Sequence, residues 1–191
     1  MFYNSCQPMY EQRGKTLYKW GKDQTGEIPY NFNKFGFRGP ENANIPEIAF
    51  FGSAVIFGVG VREEQTLVSH FESAHNYGLA GNYGNRESVA NLKSFVSSPL
   101  YTSAVKLIFF WIDRLDTESI PELHKDLNSL NLDILHISQG NKYNGMINLM
   151  PAIDQAPCGG QPGIQTHRLW ANTIKKLLSQ NVKKTNYSRL C

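Results

Sequence analysis

The sequence predicts an α/β fold built on a mostly parallel sheet covered on both faces. Three observations carry that prediction. Short apolar runs alternate along the chain with segments of helical periodicity. One run, 105–112, is almost continuously apolar, as a central strand buried on both faces must be. The run 48–51 breaks at Gly52 and passes through small residues into a glycine-studded loop, with a helix-like segment opening at Glu63. That order of strand, tight turn and helix puts a side chain or backbone amides at a strand's carboxyl end, where open α/β sheets bind ligands.

Each element follows from its local pattern. Residues 1–39 are rich in Tyr, Phe, Asn, Lys and Gly without helical or strand periodicity, and read as an extended arm laid over the domain. Tyr30, Phe32, Phe35 and Phe37 are its candidate anchors. A polar connector, 40–46, completes an N-terminal unit of 1–46, and the α/β domain occupies 47–191. Strand 48–51 comes first, and 63–73 carries Leu67, Val68 and Phe71 at helical spacing. A short strand is predicted at 75–79. A helix follows at 87–97 through Val89, Leu92, Phe95 and Val96. After the strand at 105–112, Pro121 suits the first position of a helix ending near Leu130. Strands are predicted at 132–137 and 146–150. A Gly- and Pro-dense loop at 154–163 precedes a last helix over 164–178, with Leu169, Ile174, Leu177 and Leu178 facing inward.

With 191 residues, 41% of them hydrophobic and 18% charged, the chain can bury a substantial core. A net charge of +3 is too small to argue for nucleic acid. The lysines and arginine at 175, 176, 183, 184 and 189 read as a solvated helix face running into a tail. Cys6, Cys158 and Cys191 are three, far apart and without ligand spacing, which argues against a complete disulfide framework and for reducing surroundings. No signal peptide or membrane span is visible, so the expectation is a cytoplasmic protein without a membrane partner. Asn186 heads a glycosylation sequon, read as chance. No histidine pair sits at metal-ligand spacing, and neither a phosphate loop nor a dinucleotide fingerprint is present, so no metal or cofactor is expected.

Several blocks line up in order. Asn33-Lys34-Phe35-Gly36-Phe37-Arg38-Gly39 is similar to an Asn-x-x-Gly-Phe-Arg-Gly lead-in. Residues 52–61 are similar to a Gly-Asp-Ser-x-Thr-x-Gly block, and 76–81 to a second block ending in glycine. Residues 107–113 resemble a strand running into an asparagine-bearing turn, and 161–171 an Asp-x-x-His-Pro block opening a helix. Over about 31–174 the chain resembles the SGNH (GDSL) hydrolases, a family of esterases, lipases and carbohydrate deacetylases. The resemblance implies a flavodoxin-like three-layer α/β/α sandwich of about five strands. It also implies a small acylated or carbohydrate ligand.

In active members a serine attacks an ester carbonyl, a histidine takes its proton and an aspartate orients the histidine. Gly58 sets the register of the first block and puts Ala54 at the serine position. The last block puts Gln161 at the histidine position and Gly159 at the aspartate position, and glutamine is no base near neutral pH. Gly81 keeps the second-block glycine that the family uses in its oxyanion hole. Asp113 stands where the family has an oxyanion-stabilising asparagine, and an ionised carboxylate there would repel the oxyanion. Ala54, Gly81, Asp113 and Gln161 are expected to converge on one cleft.

Three residues could substitute. Ser53 is either a displaced nucleophile or a cap of a turn or helix amide pointing the other way. His167 is a base candidate or a packing residue on the last helix. Asp154 could replace the triad aspartate or cap its loop. Asp113, with Arg114 and Asp116, could equally form a surface ion-pair cluster. His70, His75, His124 and His136 have weaker cases, His136 as a core or edge residue of its strand. The functional expectation is an SGNH-hydrolase-like pseudoenzyme that keeps a ligand or partner cleft. The alternatives are an active esterase, deacetylase or acyltransferase using Ser53, and a protein-interaction module working through the aromatic arm.

Overall fold

Parallel strands organise the chain in a computed structural model that describes residues 18–23, 26–33, 37–40, 46–80, 84–99, 101–113, 120–139, 146–156 and 161–182. A hairpin comes first, β1 (Tyr18–Asp23) against β2 (Gly26–Tyr30), antiparallel with an irregularity between Trp20 and Lys22. The main sheet contains β3 (Ile48–Gly52), β4 (Ala74–Gly78), β5 (Leu107–Ile112), β6 (Ile134–Gln139) and β7 (Ile147–Leu149). They lie side by side in the order β4-β3-β5-β6-β7, and all four pairings are parallel. The helices are α1 (Ala54–Phe57), α2 (Asn85–Val96), α3 (Ile120–Asn128) and α4 (Ile164–Val182).

The side-chain period of two divides the core. Phe50, Phe109 and Trp111 join Trp170, Ala171 and Ile174 of α4 on one face of the sheet. Ala49, Phe51, Ile108, Phe110 and Ile112 join Val89, Leu92 and Phe95 of α2 and Leu123 and Leu127 of α3 on the other. Because both faces are covered, β5 is apolar at every position, as its sequence predicts. Aromatic rings continue the strand pairing: Phe50 stacks on Phe109 at 4.6 Å and Phe51 on Tyr77 at 4.9 Å.

Three expectations need correction. The helix expected over 63–73 is two separate 3₁₀ turns, Glu63–Gln65 and Val68–His70. Thr66 and Ser69 break it by satisfying local backbone groups with their hydroxyls. Thr66 Oγ1 donates to the Glu63 carbonyl and accepts the Ser69 N–H, while Ser69 Oγ donates to the Thr66 carbonyl. Leu67, Val68 and Phe71 are buried nevertheless. The loop expected after Gly52 begins with the one-turn helix α1. The arm, expected to be extended and without strand periodicity, contains the β1–β2 hairpin, whose sequence signal is the alternation Tyr18-Lys19-Trp20 followed by Gly26. Of its anchors, Tyr30 is buried with Phe57, Val59 and Ala80, Phe32 packs on that cluster, and Phe37 meets Tyr77 edge-on at 4.5 Å. Phe35 lies outside the described residues.

Helix α1 lies close enough against the end of β4 to demand glycine at Gly78. A Cβ there would fall against the Phe57 backbone nitrogen and 2.8 Å from Phe57 Cα. Backbone cannot swing aside as a side chain can, so Gly78→Ala is expected to destabilise the fold by about 3 kcal/mol. Urea unfolding followed by circular dichroism checks this; an unchanged midpoint would refute it.

Candidate functional site

The strand order dictates where a site can form. From β3 the chain crosses to β4 on one side, and from β5 it continues to β6 on the other. The carboxyl ends of β3 and β5 therefore flank the point where connections diverge, the ligand position in folds with this order. The residues that follow those two strands are Ser53 and Asp113.

They meet there. Ser53 Oγ donates a 2.8 Å hydrogen bond to Asp113 Oδ1, and Trp111 Nε1 donates to the same oxygen at 2.8 Å. The Asp113 N–H donates to Asn85 Oδ1 at 2.9 Å, fastening this corner to the start of α2. Gly52 permits the approach: a Cβ there would lie 2.7 Å from both Trp111 Cβ and Ile56 Cγ1. Burial pushes the Asp113 carboxyl above its usual range, against the opposing effect of the Ser53 and Trp111 hydrogen bonds. Ser53 is buried at the N-cap position of α1, but its side chain makes no capping bond. The cap reading of Ser53 is therefore wrong: the hydroxyl spans the two strands.

Two clamps hold α1 behind this pair. Asn76 Nδ2 donates to the Ile56 and Phe57 carbonyls, while its Oδ1 accepts the Gly78 N–H. Arg38 is 2% exposed. Its Nη1 donates to the Phe57 and Gly58 carbonyls at 2.7 and 2.6 Å, and its Nη2 to that of Val61 at 2.7 Å. The guanidinium also lies over the Tyr30 and Phe57 rings. Burial brings its pKa down to about 10, with Tyr30, Glu63 and Glu64 acting in the opposite direction. A small loop presents it: Phe32 bridges to Arg38, the Asn33 N–H donates to the Phe37 carbonyl, and Asn33 Oδ1 accepts the Phe37 N–H. In the sequence Arg38 stands only within the Asn-x-x-Gly-Phe-Arg-Gly lead-in, without a role of its own. An arginine framed by aromatic and glycine residues was the available signal.

His167 makes no hydrogen bond with the serine. It is fully buried on α4, and its Nδ1 accepts the Leu67 N–H at 3.1 Å. The neutral ring therefore carries its proton on Nε2. Burial, with Arg38 nearby, lowers its pKa to about 4, the Asp154 carboxylate countering in part and His70 adding to the lowering. Its ring meets Trp170 edge-on at 6.2 Å, so the packing role describes it. Asp154 caps: its carboxylate accepts the Gln165 and Thr166 N–H groups at the start of α4 and the Thr166 hydroxyl. Burial would raise its pKa, but those bonds outweigh it and hold the carboxyl below its ordinary value.

Ala54 opens α1 next to Ser53 and offers only a methyl group. Gln161 accepts the Ala156 N–H with its own carbonyl, a bond within its loop beside the bridge from Gln155 to Pro162. Gly81, Gly159, Arg114, Asp116 and the three cysteines lie outside the described residues. Asp113 is bonded to Ser53 and Trp111, and the expected cluster with Arg114 and Asp116 falls on residues outside the described ones. Burial lowers the pKa of His70 and His75, and His136 is half-buried on β6 opposite Phe110. Among the described residues no group of three His, Cys, Asp or Glu side chains could hold a metal ion, and no helix is long and apolar enough to cross a membrane.

What the corner can do chemically follows from its partners. The Ser53 hydroxyl donates to a carboxylate that burial makes more basic than an ordinary one. The same hydroxyl and carboxylate can accept and donate hydrogen bonds to a bound molecule. The chain matches no protein-family model, and no curated protein or solved structure is significantly similar to it.

Proposed function

We propose that the protein is an SGNH-hydrolase-like pseudoenzyme that binds a ligand or partner at the shared carboxyl edge of β3 and β5 and does not hydrolyse esters. The observation that carries this reading is the partner of the serine. Ser53 donates to Asp113, whereas His167 is buried on α4 and bonded to the Leu67 N–H. Ala54 and Gln161 at the family's serine and histidine positions support the same reading. A small acylated or carbohydrate molecule remains the ligand class that the resemblance implies. No nucleic-acid surface enters the proposal, since the net charge is only +3.

A second reading has one observation in its favour. The Ser53 hydroxyl is turned across the switch point rather than into a helix cap, so a substrate that displaced Asp113 would meet it. The reading is then an esterase, deacetylase or acyltransferase with a rearranged site. Fluorophosphonate labelling of the folded protein separates the two, alongside turnover of short nitrophenyl esters and acetylated sugars. The expected result is no adduct and no turnover above buffer. A covalent adduct on Ser53 that disappears in Ser53→Ala would overturn the pseudoenzyme proposal.

A further inference from the structure

Asp113 brings a charge to the β3–β5 corner that the described chain does not balance. Its Oδ1 takes both side-chain hydrogen bonds, one from the Ser53 hydroxyl and one from the Trp111 indole, and both donors are neutral. Neither bond involves Oδ2, and that oxygen is not among the buried polar atoms sealed from solvent. The residue is half-buried, so its carboxylate is neither closed off nor fully hydrated. Among the described residues the ion pairs join Lys93 to Asp126 and Lys106 to Glu47, and none reaches Asp113. A partly desolvated carboxylate without a counter-charge is costly to keep. Burial accordingly pushes its pKa upward, with no neighbouring cation opposing the shift.

The surroundings favour a cation over other guests. Helix α2 begins at this corner, where Asn85 Oδ1 accepts the Asp113 N–H. The positive end of that helix is already met by an acid, since Glu87 Oε2 accepts the Gly84 N–H at 2.9 Å. An incoming anion would therefore face two carboxylates. Arg86 acts on Glu87 and not on Asp113. A neutral hydroxyl could donate to Oδ2 but would leave the charge unbalanced, whereas a protonated amine donates and balances it. The bonds with Ser53, Trp111 and Asn85 hold the carboxylate in place before any ligand arrives.

We infer that the ligand of this corner carries a primary ammonium group on a small molecule, which donates to Asp113 Oδ2 and supplies the missing positive charge. The inference rests on the reading of the corner as a binding site and narrows the class of ligand it takes.

The Trp111 indole N–H is bonded to the same carboxylate, so its nuclear magnetic resonance signal in the full chain reports on the site. Trp111→Phe identifies the signal. The probes are ethanolamine hydrochloride at neutral pH and ethylene glycol, alike in size and differing in one ammonium group, with sodium chloride as the ionic-strength control. The expected result is a saturable shift with ethanolamine at an affinity about tenfold above that for ethylene glycol, the margin that an added charge gives a hydrogen bond. Asp113→Asn keeps an acceptor for Ser53 and Trp111 but removes the charge, and is expected to abolish that preference in protein folded by circular dichroism. Equal affinity for the two probes would overturn the ammonium assignment and leave the corner a binding site. A shift that sodium chloride reproduces, no saturable shift with either probe, or a preference kept in folded Asp113→Asn would overturn the inference. Fluorophosphonate labelling of Ser53 reads the pseudoenzyme proposal separately, because an adduct there does not depend on the amine.

Discussion

Replacing Arg38 with methionine is expected to destabilise the protein by about 4 kcal/mol, a large share of the roughly 5–15 kcal/mol that holds a domain together. Methionine fills much of the same space but donates nothing. The carbonyls of Phe57, Gly58 and Val61 would lose buried donors at 2.6–2.7 Å. Each such loss typically costs about 1–3 kcal/mol, less where the loop relaxes towards water. Removing a buried charge relieves some desolvation, which is why exchanging a whole buried ion pair for apolar residues can be neutral. Here the partners are backbone carbonyls that remain in place, so no compensating removal occurs. Lysine keeps the charge as a single point donor and cannot span three acceptors, so Arg38→Lys should fall between the two. Equilibrium urea unfolding by circular dichroism and tryptophan fluorescence measures both variants. A methionine variant within 1 kcal/mol of the parent, roughly the scatter of a single lost hydrogen bond, would refute the clamp.

Acid should weaken the fold through His167. Its pKa in the native state is brought down to about 4 by burial, while an unfolded histidine titrates near 6.5. Between those values the unfolded chain binds a proton that the native state refuses, so stability rises with pH across this window. The contribution is fully present above about pH 6.5 and is lost as pH falls towards about 4, amounting to about 3 kcal/mol at most. Protonation would also end the acceptance of the Leu67 N–H by Nδ1, releasing the contact between α4 and the 67 segment. His167→Gln keeps an acceptor and cannot titrate. Its unfolding free energy is expected to vary less with pH between 4 and 6.5 than that of the parent. Parallel pH profiles for the two proteins would contradict the assignment.

The legible part of the fold was the part with strong periodicity on both faces of the sheet. Strand β5 and helix α2 follow from apolar spacing that burial then repeats, and α3 from the proline near its start. In α4, of the residues expected to face inward only Ile174 is buried, while Thr166, His167, Trp170 and Ala171 are buried beside it. The 63–73 segment misled because Leu67, Val68 and Phe71 are buried at helical spacing without a helix. Thr66 and Ser69 hydroxyls compete for backbone groups there, and apolar spacing does not register that competition. The hairpin was missed because its polar positions dilute the alternation that begins with Tyr18 and Trp20. At the candidate site, strand ends placed Ser53 and Asp113 correctly at the sheet's carboxyl edge. Their bond to each other was hidden because it joins residues 60 apart through the adjacency of β3 and β5. Arg38 was opaque for a related reason: its acceptors are main-chain carbonyls 19–23 residues away, which no side-chain motif records.

Strand β7 ends the sheet with only three residues, Ile147–Leu149, paired to β6 over that length. A margin so short presents few spare amides and carbonyls to another polypeptide, whereas long flat margins template fibrous stacking. At this border the protein is thereby guarded against joining its neighbours strand to strand at high concentration, a safeguard supplied by brevity rather than by charge.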